Sequence, residues 1–233
     1  NLHVAKKPPF KGKFEWAIDY YKSMAKKLNI TMKLGKEVTA QEVLALKPYS
    51  ILVATGSNVI SIPLEGLDQV QTVQAHDVLA NDMQFANKKV VVIGGGITGL
   101  ETALYINRQG TNQVSVVDML PEWPVDMLDM RYQNEALLEV RHCNDQGVAL
   151  FYNNKVVKFA DGKLFIESTK DGEVKELPAD VIVLSVGVKP NDALWQELLA
   201  SGHPSVWKAG DAIATGKINK AVLHGSKFGY SLN

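Results

Sequence analysis

Cysteine is nearly missing from this sequence: a single thiol, Cys143, stands among 233 residues. That excludes a disulfide framework, a Cys-x-x-Cys redox pair and any set of thiolates able to hold zinc or an iron–sulfur cluster, and it fits a reducing, cytoplasmic setting. Net charge is missing too, with 25 Lys and Arg against 25 Asp and Glu. A binder of nucleic acid or of an anionic membrane needs an excess or a stripe of basic residues, and no stripe occurs. No apolar run reaches the roughly 18 residues of a membrane span, and residues 1–10 lack the charged-then-apolar pattern of a secretory signal. The first residue is Asn1 rather than Met, so position 1 reads as a boundary and the chain as a fragment.

What remains is an ordinary globular composition, 46% hydrophobic with 18 glycines. A chain of this length buries roughly 70% of its unfolded surface, enough for one large core or two small ones. Lys6-Lys7-Pro8-Pro9 reads as a turn or linker. Phe14, Ala17, Ile18, Tyr21, Ala25 and Leu28 then recur at helical spacing, predicting a helix that ends near Asn29. A short strand is expected over 30–34. Thr39 with Glu42 three places on forms a capping box for a second helix that runs through Leu46. The apolar run 50–54 is a strand covered on both faces, and Thr55-Gly56-Ser57 breaks it.

A second start follows from about Gln71. Lys89-Val90-Val91-Val92-Ile93 is a buried strand, 94–99 is rich in glycine, and Leu100, Ala103, Leu104 and Asn107 place a helix whose end Gly110 marks. Strands over 114–117 and 148–152 flank a helix over 127–145, with Leu137, Leu138 and Val140 among its apolar positions. Between 155 and 177 the period changes to two around Asp161-Gly162 and Asp171-Gly172, the pattern of an antiparallel hairpin or meander. The run 180–185 is again a buried strand. Strands alternating with helices and interrupted once by a meander predict an α/β fold, Rossmann-like, with a mostly parallel sheet.

The chemistry is concentrated in Gly94-Gly95-Gly96-Ile97-Thr98-Gly99-Leu100-Glu101. Three glycines at this spacing mean little alone, but here a buried strand runs into them, a helix begins inside them, and the next strand ends in Asp118 about 20 residues on. Gly94 permits the tight turn, Gly96 lets the backbone approach a pyrophosphate, and Gly99 lets helix and strand lie close. The pyrophosphate sits on the helix N-terminus, where unpaired N–H groups and the dipole favour an anion. Asp118 is placed to accept hydrogen bonds from the adenosine ribose. It also repels a 2′-phosphate, and Met119-Leu120-Pro121 offers no Arg, so NADH is preferred over NADPH. The alternative is an ordinary strand-to-helix turn with Asp118 a solvated strand end.

Three more pieces are turns when read singly: Ala54-Thr55-Gly56, the segment 187–190 from Gly187 to Pro190, and Ala209-Gly210-Asp211. Ala221, Gly225 and Gly229 recur every four residues on one side of a last helix. Such a smooth face suits a flat ring, another backbone, or tight packing of helix on sheet.

In this order the pieces resemble the two-dinucleotide-domain flavoprotein reductases. Ala5-Lys6-Lys7-Pro8-Pro9-Phe10, Ala75-His76-Asp77-Val78-Leu79 and the run 93–103 look more closely like the C-terminal part of the bacterial 2,4-dienoyl-CoA reductase and enoate reductase family, Old-Yellow-Enzyme-like NADH:flavin oxidoreductases. The resemblance implies that Gly94, Gly95, Gly96, Ile97, Thr98, Gly99 and Asp118 bind NAD(H), with Glu101 near the junction of nicotinamide and flavin. It implies that Ala54, Thr55, Gly56, Gly210 and Asp211 line FAD, with Gly187 and Pro190 in the connection between domains. It further implies an incomplete FAD-binding domain over 1–70 and 187–233 around an NAD(H)-binding domain over 71–186. A barrel with FMN and the substrate site, a cysteine cluster and the first glycine fingerprint would precede Asn1. The parent enzyme would pass hydride from NADH to FAD for onward reduction of an enoate- or dienoyl-CoA-like substrate. Other readings are an NADH oxidase, a ferredoxin-reductase-like flavoprotein, or a dinucleotide-binding module without turnover. No metal site and no catalytic acid or base is expected in the segment, so His76, His142, His203, His224 and Cys143 read as surface or packing residues.

Overall fold

Unbroken runs of β-branched residues set the centre of the fold. In the strand Lys89–Ile93 the four apolar residues are all buried, Val90 and Val92 in one apolar cluster, Val91 and Ile93 in another. A strand covered on both sides cannot alternate apolar with polar, which is why the sequence shows a continuous run. The structure, a computed structural model, describes residues 1–121 and 130–232, with residues 130–133 described by backbone alone.

In chain order the elements are α1 (Leu2–Ala5), α2 (Phe14–Lys27), α3 (Ala40–Ala45), β1 (Ile51–Val53), β2 (Ser57–Val59), β3 (Gln71–Gln74), α4 (Ala75–Ala80), β4 (Lys89–Ile93), α5 (Ile97–Asn107), β5 (Gln113–Val117), α6 (Met130–Asp145), β6 (Ala149–Phe151), β7 (Asn154–Ala160), β8 (Lys163–Ser168), β9 (Val174–Pro178), β10 (Val181–Leu184), β11 (Val188–Pro190), α7 (Ala193–Ala200), β12 (Val206–Lys208) and α8 (Ile218–Ser231). They fall into two units, one made of residues 1–30 and 61–186, the other of 31–60 and 187–233.

The first unit is built on a five-stranded parallel sheet in the order β3-β10-β4-β5-β6. Leu100, Ala103 and Leu104 of α5 and Val140 and Cys143 of α6 pack on one side of it. The other side is closed by an antiparallel meander, β7-β8-β9, through Phe159, Leu164 and Ile166. The meander turns where the period-two pattern predicts it: Asp161 and Gly162 both take positive φ, 51° and 73°, the geometry of a two-residue hairpin. The result is the α/β fold with a parallel sheet and an inserted meander that the patterning implies.

The second unit has a smaller core. β1 and β12 pair in parallel, β2 and β11 antiparallel, and Ile51, Val53 and Leu198 are its buried apolar centre. The capping box at α3 forms as expected: the Glu42 N–H donates to Thr39 Oγ1 at 3.3 Å, and the Thr39 N–H donates to Glu42 Oε2 at 3.1 Å.

Two expectations are corrected. The segment 30–34 is not a strand; Ile30, Met32 and Leu34 are 56%, 56% and 83% exposed, and no described strand pairs with them. Alternating apolar residues favour a strand only where a neighbour takes up their backbone hydrogen bonds. The segment 187–190 is more than a turn, because Val188–Pro190 is β11, paired with a β2 that begins inside the stretch read as a strand break. Of the apolar positions named in α6, Val140 is buried, and Leu137 and Leu138 are each 50% exposed. Ahead of the Lys6–Pro9 turn, residues 2–5 form α1. Residues 127–129 of the predicted helix lie outside the described residues; the remainder is α6. Among the described residues no helix is long and apolar enough to cross a membrane.

Candidate dinucleotide site

β4 runs directly into the glycine turn. The Gly94 N–H donates to Val117 O at 2.8 Å, and Gly94 takes φ +111°, where a side chain is strained. A Cβ on Gly94 would lie 2.3 Å from Ser185 O, so the turn is pressed against the end of β10. A Cβ on Gly99 would lie 1.9 Å from Gly94 O, so the first turn of α5 rests on the turn it leaves. At Gly95 a Cβ would come 2.9 Å from the Tyr152 ring.

Gly96 differs from all three. It is the N-cap of α5 at φ −68° and ψ 172°, extended backbone open to any residue, and nothing lies within 4 Å of where its Cβ would be. Three glycines are therefore demanded by the protein's own packing, while the fourth borders empty space. The first intrahelical bond of α5 is donated by Leu100 to Gly96 O at 3.0 Å. The N–H groups of Ile97, Thr98 and Gly99 come before it, the position at which a helix offers donors and the positive end of its dipole.

Asp118 is brought to the same turn. Its Oδ2 accepts the Gly95 N–H at 2.6 Å and its Oδ1 the Leu120 N–H at 2.8 Å. Its backbone is fixed as well, with N–H donated to Phe151 O at 3.0 Å and C=O accepting from Asn154 at 2.9 Å. The carboxylate is thus bonded to the glycine turn rather than being a freely solvated strand end. An anionic acceptor there suits the hydroxyls of a ribose, and the open N–H groups beside Gly96 suit its phosphates. The residues present fit a dinucleotide.

Glu101 lies on α5 and is 8% exposed. It forms an ion pair with Lys11, whose Nζ also lies 3.0 Å from Glu135 Oε1. Burial pushes the Glu101 carboxyl above the ordinary Glu value, with the Lys11 hydrogen bond and charge pulling the other way. Burial also works to lower the Lys11 ammonium, but Glu101 and Glu135 raise it above the ordinary lysine value. The family resemblance points to Glu101 and is silent on Lys11 and Glu135, which are far from it in the chain and meet it only through the fold.

In the second unit, Ala54-Thr55-Gly56 and Gly210-Asp211 follow the ends of the paired parallel strands β1 and β12, and the Ala209 N–H donates to Val53 O at 2.9 Å. Thr55 Oγ1 donates to Asn191 O, and the Asn191 N–H to Gly56 O at 3.0 Å. Gly187, at φ +100°, accepts the Ile60 N–H on its carbonyl at 3.1 Å. The Asp211 carboxylate accepts the Gly216 N–H at 3.0 Å. Residues scattered through the sequence are thereby gathered at one end of a strand pair, the usual location of ligands in parallel α/β sheets. Lys208, which no motif marks, sits 4.0 Å over the Trp195 ring and 3.1 Å from Asp192.

Cys143 is fully buried in the α5–α6 core, and burial pushes its thiol up to about 12. A thiol so placed stays protonated in the folded protein. His203 Nε2 lies 3.0 Å from Pro48 O, and His224 Nδ1 accepts the Gly210 N–H. Among the described residues no group of three or more His, Cys, Asp or Glu could hold a metal.

Comparison with known proteins places the fold in a family. Residues 13–224 match the model of the pyridine nucleotide-disulphide oxidoreductase family. The chain is 33% identical over 191 residues to bilirubin reductase of Mediterraneibacter gnavus, covering 82% of this chain and 28% of that protein. It is 29% identical to NADH oxidase of Thermoanaerobacter brockii, covering 100% of this chain and 35% of the other. The solved complex of 2-naphthoyl-CoA reductase with 2-naphthoyl-CoA superposes with a TM-score of 0.87 at 26% identity, covering 98% of this chain and 34% of that one. The chain thus spans about a third of the length of these proteins. The sequence leads us to expect NAD(H) and FAD, and the matched family binds FAD and NAD(P)H. With a family model covering most of its length and the glycine turn, sheet and meander in place, the chain belongs to the pyridine nucleotide-disulphide oxidoreductase family.

Proposed function

We propose that this chain is the dinucleotide-handling part of an NADH-dependent flavoprotein reductase. NADH binds at the glycine turn of residues 71–186, and FAD binds along residues of 1–70 and 187–233. The N–H groups of Ile97, Thr98 and Gly99 take the pyrophosphate, Gly96 gives it room, and Asp118 holds the adenosine ribose and disfavours a 2′-phosphate. Glu101, its charge balanced by Lys11, lies toward the nicotinamide. Ala54, Thr55, Gly56, Gly187, Gly210 and Asp211 line the flavin. FAD, when bound, supplies the acceptor for the hydride of NADH. The chain's own residues position and exclude water; no acid or base among them is needed for that transfer.

The observation that carries this reading is the empty space at Gly96 beside glycines whose neighbours touch. The acceptor of the electrons is an unsaturated substrate of enoate or dienoyl-CoA type, bound on an FMN-carrying barrel outside these residues, in the reducing cytoplasm. Likeness to bilirubin reductase and 2-naphthoyl-CoA reductase supports that class. Likeness to NADH oxidase favours a second reading, transfer to oxygen. The test is anaerobic addition of NADH to the flavin-loaded protein, followed by an enoate or by oxygen. Bleaching of the flavin band with recovery on the enoate supports the first reading; recovery on oxygen alone supports the second; no bleaching overturns both.

A further inference from the structure

The second unit contains a contact that neither the glycine pattern nor the family likeness assigns. Gly210 turns at φ +60° just after β12, and its N–H donates to Nδ1 of His224 on α8 at 3.1 Å. On the same helix, three residues earlier and so on the same face, Ala221 packs against that turn: a Cβ on Gly210 would lie 3.4 Å from the Ala221 Cβ. Farther along, Gly225 and Gly229 have nothing among the described residues within 4 Å of their Cβ positions. α8 contains no fully buried residue, and the His224 hydrogen bond adds to the Ala221 contact at this point.

We propose that His224 is a positioning residue for the flavin: by accepting the Gly210 N–H it fixes the turn that aims Asp211 at the cofactor. The proposal rests on the assignment of Gly210 and Asp211 to FAD. A ring nitrogen accepts only when it carries no proton, so Nδ1 is bare and the hydrogen of the neutral imidazole is on Nε2. Without that acceptor the Gly210 N–H loses its partner. Glycine has no Cβ to restrict it, so the turn is then free to leave its φ. The Asp211 carboxylate, which accepts the Gly216 N–H at the far side of the turn, moves with it.

The experiment compares the protein expressed at the full length of its gene with His224→Phe, which keeps the ring shape without an acceptor, and His224→Asn, whose side-chain oxygen replaces Nδ1. FAD affinity, flavin midpoint potential and NADH affinity are measured for each. The Phe variant should bind FAD about tenfold more weakly with a shifted potential. The Asn variant should recover both to within about threefold of the parent affinity, and NADH affinity should be unchanged in both. Parent-like FAD binding and potential in His224→Phe overturn the proposal alone, as does an Asn variant no better than Phe. A parent protein that binds NADH and no FAD overturns the flavin assignment and the proposal together. Should His224→Phe fail to fold, His224→Leu takes its place and is read in the same way.

Discussion

Lys11 and Glu101 form an ion pair inside the first unit, with Glu135 as a second partner of the lysine and Glu139, 5% exposed, as a further charge acting on Glu101. Removing one member of a buried pair leaves the other uncompensated, which typically costs about 3 kcal/mol or more. Lys11→Met should therefore lower the unfolding free energy by about that amount, and adding Glu101→Gln should restore most of it. Denaturant unfolding of the single and double variants decides. Equal losses in Lys11→Met with and without Glu101→Gln would show that the pair is not coupled.

The same pair sets a pH dependence. The Glu101 carboxyl is raised in the folded state, so between its ordinary value and the raised one the native state holds more protons than the unfolded chain. Its contribution to stability is full below the ordinary Glu value and is lost as pH rises through the raised one. In Lys11→Met the raised value moves higher, because the lysine that opposes burial is gone. The fall of stability with pH should then extend to higher pH in that variant, and Glu101→Gln should abolish the extension.

Asp118 should discriminate between nucleotides. Asp118→Ala removes the carboxylate from the turn and should weaken NADH binding while narrowing the preference over NADPH. Since Asp118 also accepts the Gly95 and Leu120 N–H groups, some loss of stability accompanies it. The ratio of the two affinities separates the effects, because a distorted turn weakens both nucleotides alike. An unchanged ratio would remove Asp118 as ribose ligand.

Cys143 should be inert. With its thiol buried and pushed up to about 12, it should resist a thiol reagent at neutral pH in the native protein and react once the protein is unfolded. Cys143→Ala should retain NADH-dependent flavin reduction. Loss of reduction in a folded Cys143→Ala protein would return thiol chemistry to the account.

Much of this architecture was legible in the sequence, and for local reasons. The Val90–Ile93 run, the glycines behind it and the Thr39–Glu42 box each carry a local pattern readable within a few residues, even where the partners that hold it lie farther off. Asp161-Gly162 announces its hairpin because few residue pairs accept two positive φ angles. The segment 30–34 reads as a strand because alternation describes only what a strand offers, not whether a partner accepts it. β11 was hidden because its partner β2 lies more than a hundred residues earlier. Lys11 and Glu135 are invisible as site residues for the same reason, since the contacts that define them span the chain, whereas His224 meets Gly210 only 14 residues away and is missed because no motif marks it.

The most direct test of the account is the NADH affinity of Gly96→Thr set beside its melting temperature. Thr suits an N-cap about as well as Gly, the backbone at Gly96 is extended, and its Cβ meets no protein atom. If the space is kept for the pyrophosphate, stability should change by less than about 0.5 kcal/mol, whereas NADH affinity should fall by more than about tenfold. Gly99→Ala is the counterpart: its Cβ would lie 1.9 Å from Gly94 O, so it should destabilise the fold itself. A Gly96→Thr protein that melts like the parent and binds NADH equally well would contradict the account.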